Sequence, residues 1–175
     1  VSHPSWDADV DWSGFDGALI RTTWDYTARR DAFVDWARCT AAATRLFNPP
    51  DVVRWNTRKS YLDELADADV PVVPTVHLEA GDLGLLLDLL QQQGWTRAFL
   101  KPLVGAAAEA TCRFSADDLA PALTLLAGQP SDRPFMLQPF LPAVETEGEY
   151  SVILIEGAPS HGVQKVPVPG DYRVQ

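Results

Sequence analysis

The sequence predicts an α+β fold, on three observations. Stretches whose apolar residues recur at helical spacing alternate along the chain with short apolar runs of strand length. The switches between them fall at Pro, Gly or capping residues. The last two strand-like runs flank Gly157 at hairpin spacing, which makes the end of the chain antiparallel. Helices layered on sheets satisfy all three, and no fixed-period repeat or low-complexity tract competes with that reading.

Each element follows from its residues. Residues 15–22 form a first strand after Gly14 and run into a loop at Thr23, Trp24, Asp25 and Tyr26. Residues 30–47 set Phe33, Val34, Ala37, Ala41 and Ala42 at helical spacing, and Asn48-Pro49-Pro50 stops that helix because proline restricts the residue before it. Asn56 is placed to cap a helix over 57–68, with Tyr61, Leu62 and Leu65 on one face and Asp63, Glu64 and Asp67 on the other. A strand over 70–76 contains Pro71 and Pro74, which confines it to a sheet edge or a strand end. Asp82 caps a leucine-rich helix over 83–93 that ends at Gly94, and 97–102 is a strand whose end delivers Lys101. A small-residue loop over 105–110 leads to a strand at 111–114. Ser115 caps a helix through Ala127, 135–141 is a strand, and 150–156 with 160–167 form the closing hairpin.

Composition excludes several classes. With 175 residues, 46% hydrophobic and 22% charged, the chain can bury a core, and its length suits one medium domain or parts of two. Twenty-four acidic against 14 basic residues give a net charge of −10, which argues against nucleic acid as a partner. Apolar runs such as 83–90, broken by Asp88, fall far short of the roughly 20 residues that cross a bilayer, so no membrane partner is expected. Residues 1–10 carry Trp6, Asp7 and Asp9 in place of a signal peptide's basic start and apolar stretch, so the expected location is cytoplasmic. Cys39 and Cys112 lack CxxC partners and read as reduced thiols. His3, His77 and His161 stand alone, without metal-ligand spacing, and no metal ligands are assigned within the chain. Phosphate-loop, dinucleotide, nucleophile-elbow and zinc-helix motifs are all absent from the sequence.

What remains is a sparse set of cations and acids at turns and strand ends. Only three of the basic residues are lysines: Lys59, Lys101 and Lys165. Lys59, read as one turn inside a helix, would by default be a solvated surface cation. Lys101 closes an apolar strand and points a long cation at the small-residue loop, an arrangement suited to cradling phosphate. Beyond it, the 136–142 run (MLQPFLP) offers a strand edge and apolar contacts to a purine, and Glu145, Glu147 and Glu149 follow, of which one can accept from ribose hydroxyls.

The strings NPPDVVRWNTRKSYL, PVVPT, FLKP, MLQPFLPAVETEGEYSV and SHGVQKVPVPGDYRVQ, in this order and spacing, resemble an ATP-grasp ligase of the glutathione-synthetase-like branch, and the resemblance covers nearly the whole chain. It implies an ATP-grasp fold divided into a partial N-terminal substrate domain (1–52), a central ATP-grasp subdomain (53–135) and the start of the C-terminal subdomain (136–175). It implies an ADP-forming carboxylate–amine ligase whose partners are ATP, magnesium and a small carboxylate or amino-acid substrate, with a homo-oligomer compatible with that assignment. Carried over by position, Lys59 and Lys101 contact ATP phosphates. Gln138, Pro139, Phe140 and Leu141 hug adenine, and Glu149 binds ribose. Lys165 and Arg173 face the γ-phosphate and the acyl phosphate, and Arg21 helps hold the acceptor. Two departures stand out. The phosphate-covering loop reads GAAAEAT, with one glycine and an acid, Glu109; and the family's magnesium ligands are expected beyond Gln175, as in a fragment that also lacks the family's first strand and helix. The competing readings are a non-catalytic nucleotide-binding module and a purely structural domain.

Overall fold

Alternation along four strands separates an apolar sheet face from a polar one, and that separation positions everything functional. The structure, a computed structural model, describes residues 1–78 and 82–167. Strands β3 (Val76–Leu78), β4 (Arg97–Pro102), β5 (Cys112–Ser115) and β6 (Phe135–Pro139) form an antiparallel sheet in the order β3-β6-β4-β5. In its register Leu100 pairs with Leu137, Phe99 with both Gln138 and Arg113, and His77 with Met136. Because side chains alternate across a pleated strand, Leu78, Ala98, Leu100, Phe114, Phe135 and Leu137 fall on one face. There they meet Leu86 and Leu90 of helix α4 (Leu86–Gln93) and Ala122 and Leu126 of α5 (Ala120–Ala127). Phe99, Lys101, Arg113, Met136, Gln138 and His77 fall on the other face, which no helix of this cluster covers.

A second core lies toward the start of the chain. Helix α1 (Arg30–Ala43) buries Phe33, Val34 and Ala37 against Trp6, Leu46 and Val53. The Trp6 and Phe33 rings meet edge to face at 5.3 Å, and the indole N–H of Trp6 donates to Asp25 at 3.0 Å. Under this helix lie two short parallel strands, β1 (Ala18–Leu19) and β2 (Leu46–Phe47).

Here the structure corrects four sequence expectations. The first helix stops at Thr44, whose backbone is extended, and Leu46 and Phe47 are strand rather than the end of a helix. Pro50 begins a helix instead of only ending one: it sits in the first turn of α2 (Pro50–Asn56), where its missing N–H has no intrahelical partner to lose. Asn56 is the last residue of α2, not a cap, and α3 (Tyr61–Asp67) starts after a separate turn. Ser115 likewise ends β5, while the Asp118 carboxylate accepts from the Ala120 N–H at the start of α5.

The expected strand at 97–102 and the expected stop at Gly94, left-handed at φ 68°, are both present. So is the hairpin. Strands β7 (Glu149–Ile155) and β8 (Ala158–Lys165) pair antiparallel through Glu156 and Gly157, whose φ values of 52° and 80° suit a two-residue primed turn. A short helix α6 (Ala143–Thr146) links β6 to this hairpin.

Candidate functional site: a cationic cluster beside an open strand edge

Lys59 lies in the turn between α2 and α3, not within a helix. That turn is held from both sides. Arg30 donates to the Thr57 hydroxyl at 3.1 Å and to the Arg54 carbonyl at 2.8 Å, and the Lys59 N–H donates to the Leu103 carbonyl at 2.9 Å. The Lys59 ammonium then reaches the Gly105 carbonyl at 2.7 Å, so this side chain tethers the start of the small-residue loop. The loop reaches its shape with little glycine: Ala107, Ala108 and Ala110 adopt left-handed backbone, at φ 52°, 58° and 48°. Glu109 turns toward Arg133, 3.9 Å away, so its charge is set against a guanidinium.

On β4 the Lys101 ammonium donates to the Gln138 side-chain oxygen at 2.9 Å and stands 5.2 Å from the centre of the Phe99 ring. Among the described residues neither Lys59 nor Lys101 has a carboxylate partner. Burial holds both ammonium groups below the ordinary lysine range, and for Lys59 the nearby charges of Lys101 and Arg133 add to it. Lys59 feels the charges of Lys101 and of Arg133, which is itself set against Glu109, and an anion beside the two ammonium groups would offset their desolvation. Arg133 escaped the sequence reading, since an arginine ahead of a proline carries no signal without the turn that brings it here.

The adjoining strand end has a distinct polarity. The Phe140 N–H donates to the Arg97 carbonyl at 3.0 Å, so Gln138 and Phe140 turn their backbone groups toward β4. Alternation turns the Pro139 carbonyl and the Leu141 N–H the other way, where β3 covers β6 only up to Val76 opposite Leu137. Of residues 138–141, Pro139 and Leu141 therefore present backbone groups at an open edge, whereas Gln138 and Phe140 do not. Gln138 is 7% exposed, and the Phe140 ring is buried under Arg97, whose guanidinium carbon is 3.7 Å from the ring centre. Arg113 lies against the same ring and forms an ion pair with Glu145, fixing the start of α6 to β5.

Glu149 and Lys165 oppose each other across the hairpin and form an ion pair at 3.3 Å. Arg21 lies elsewhere: it is exposed and lines a cleft of about 670 Å³ formed by residues of the first 36, including His3, Trp12, Asp16 and Thr23. Of its loop neighbours, Asp25 is occupied by Trp6 and Arg29, Tyr26 packs against Phe33 with ring centres 5.5 Å apart, and Trp24 is 69% exposed. Arg173 lies outside the described residues.

ATP fits this chain's residues: ammonium groups without carboxylate partners suit phosphate, and an open C=O and N–H suit a purine edge. Among the described residues no three acidic, histidine or cysteine side chains gather as a metal site. Glu145 and Glu149 are already paired with cations.

Among known proteins, the chain is 31% identical over 163 residues to the cycloserine biosynthesis protein DcsG of Streptomyces lavendulae, covering 91% of this chain and 54% of DcsG. It is 30% identical over 131 residues to glutathione synthetase of Synechocystis sp., covering 74% of this chain and 38% of that protein. The chain therefore spans about half the length of the first relative and less of the second. Its structure superposes on the crystal structure of D-cycloserine synthetase DcsG with a TM-score of 0.83 at 29% identity, over 92% of this chain and 56% of that one. Residues 1–48 match the D-cycloserine synthetase DcsG N-terminal domain. Residues 72–175, more than half of the chain, match the ATP-grasp domain of prokaryotic glutathione synthetase, and it is to this ATP-grasp family that the chain belongs.

Proposed function

We propose that the chain supplies the nucleotide-binding part of an ATP-dependent carboxylate–amine ligase acting on an amino acid or small peptide. The observation that carries this is the pair of half-buried ammonium groups, Lys59 at the start of the small-residue loop and Lys101 on the polar sheet face, with no carboxylate on either among the described residues. In the proposed reaction a substrate carboxylate oxygen takes the γ-phosphoryl group of ATP, releasing ADP. The amine then attacks the acyl carbon and inorganic phosphate leaves. No side chain need act as nucleophile, so the protein's contribution is positioning and charge neutralisation, and cations outweigh catalytic hydroxyls or thiols in the site.

Lys59 and Lys101 would hold phosphate oxygens, with Arg133 adding positive potential. The Pro139 carbonyl and Leu141 N–H would read the purine edge, and Glu149 would accept from ribose once separated from Lys165, freeing that ammonium for the transferred phosphate. Arg21 would serve the acceptor from the cleft at the start of the chain, and residues 1–52, 53–135 and 136–175 would be the three working units. The test is ADP and phosphate release by the whole protein with ATP and magnesium over a panel of amino acids and small peptides. Release that requires both a carboxylate and an amine supports the reading, and failure of ATP to bind defeats it.

A base-specificity prediction follows from the open edge. A carbonyl and an N–H two residues apart match adenine's amine and ring nitrogen, whereas guanine reverses that pattern and leaves groups unpaired. ATP should outcompete GTP by about tenfold or more. Equal displacement of a fluorescent ATP analogue by the two nucleotides would contradict the assignment.

A further inference from the structure

Behind Lys101 lies a chain of hydrogen bonds that the nucleotide reading does not use. Lys101 donates to the Gln138 side-chain oxygen at 2.9 Å, the Gln138 amide nitrogen donates to the Thr75 hydroxyl at 3.0 Å, and that hydroxyl donates to the Val73 carbonyl at 2.9 Å. A side-chain amide can be turned over to exchange its oxygen and nitrogen, and only its neighbours decide which way it faces. Here the order is forced. The single Thr75 proton is committed to Val73, so toward Gln138 the hydroxyl can only accept. Gln138 must therefore point its nitrogen at Thr75 and its oxygen at Lys101. Were it reversed, an amide N–H would face an ammonium, two donors against each other at a 7% exposed residue.

We infer that Thr75 is a positioning residue for the phosphate-binding lysine: by fixing the orientation of the Gln138 amide, it holds the Lys101 ammonium on the polar face of the sheet. Thr75 comes from the proline-bounded segment before β3, outside β4 and β6. Its hydroxyl acts through two intervening side chains. The inference rests on the nucleotide-site reading above and adds to it a role for Thr75 that the sequence did not assign.

The test compares ATP affinity, by titration calorimetry, in the whole protein carrying Thr75→Val, Thr75→Ser, Lys101→Ala and the Thr75→Val/Lys101→Ala pair. Valine keeps the shape and removes the acceptor, so Thr75→Val is expected to weaken ATP binding by about tenfold, the scale of one charge-assisted hydrogen bond from Lys101 put out of place. Serine retains the hydroxyl and is expected to return affinity to within about twofold of the starting protein. With Lys101 absent there is nothing left to orient, and Thr75→Val should cost nothing further. Should Thr75→Val fold poorly, Thr75→Ala removes the same acceptor with a smaller side chain and carries the same expectation. Undiminished ATP affinity in Thr75→Val, no rescue by serine, or an equal loss when Lys101 is absent would each overturn the inference. If instead Lys101→Ala itself binds ATP as the unmodified protein does, it is the nucleotide-site reading that falls.

Discussion

Replacing Lys101 with alanine should weaken ATP binding by about 10- to 100-fold and leave the fold standing. The magnitude is that of charge-assisted hydrogen bonds, about 1.5–3 kcal/mol, lost at a site shielded from water. The fold survives because Lys101 belongs to the polar face of β4, while the core beneath rests on Ala98 and Leu100 with Phe135 and Leu137. Removing a half-buried cation that has no carboxylate partner also relieves a desolvation cost, which offsets the donor lost to Gln138. A melting curve close to that of the unmodified protein, beside a reduced affinity by calorimetry, is the expected pair of results. Unchanged affinity with the fold intact would remove Lys101 from the site.

The same lysines give the site a pH signature. Burial holds Lys59 and Lys101 below the ordinary lysine range, so raising the pH neutralises them earlier than solvent-exposed lysines, and each lost proton removes a charge from the proposed phosphate site. ATP affinity should therefore begin to fall on the alkaline side before ordinary lysines titrate. In Lys101→Arg, whose guanidinium keeps its proton, Lys101's share of that fall should disappear.

Which parts of this molecule could be read from its residues depends on where their determinants lie. Strand β4 was legible because Ala98, Phe99 and Leu100 form an apolar run bounded by a proline, and the hairpin because Glu156-Gly157 is itself the turn signal. Strand β2 was not, since Leu46 and Phe47 continue the spacing of α1 and become strand only through parallel pairing with Ala18 and Leu19. Pro50 was ambiguous for a local reason: proline both forbids a helix interior and favours a first turn.

At the candidate site, sequence reasoning found Lys101 from its strand-end position. Lys59 came from the family resemblance, since its own residues suggested only a helix surface. Arg133, Arg113 and Arg97 stayed hidden, as did the role of Thr75 within PVVPT, because each gains its role from a partner in another element: Lys59, Glu145, Phe140 and Gln138. The open edge at Pro139 and Leu141 was half legible. The apolar strand is local, but which backbone groups face outward follows only from its register with β4.

Substituting Gly148 with alanine should be the most damaging change near the site. Gly148 adopts φ 85°, a conformation that strains any residue with a Cβ, and a Cβ there would stand 2.2 Å from the carbonyl oxygen of Lys165 and 3.1 Å from the Cα of Val166. Both obstacles are backbone, so neither can rotate away; β8 must part from the start of β7, where Glu149 pairs with Lys165. Gly157, at the other end of the hairpin, separates the two contributions. Its φ of 80° carries the same conformational strain, yet nothing lies within 4 Å of its added Cβ. Gly157→Ala should cost about 1 kcal/mol, the conformational strain alone, whereas Gly148→Ala adds the clash and should exceed about 3 kcal/mol. Hydrogen exchange at the β7 and β8 amides is the measurement, with protection collapsing in Gly148→Ala and barely changed in Gly157→Ala. If the two variants exchange alike, the close approach at Lys165 is not what holds the hairpin, and the pairing of Glu149 with Lys165 loses its structural support.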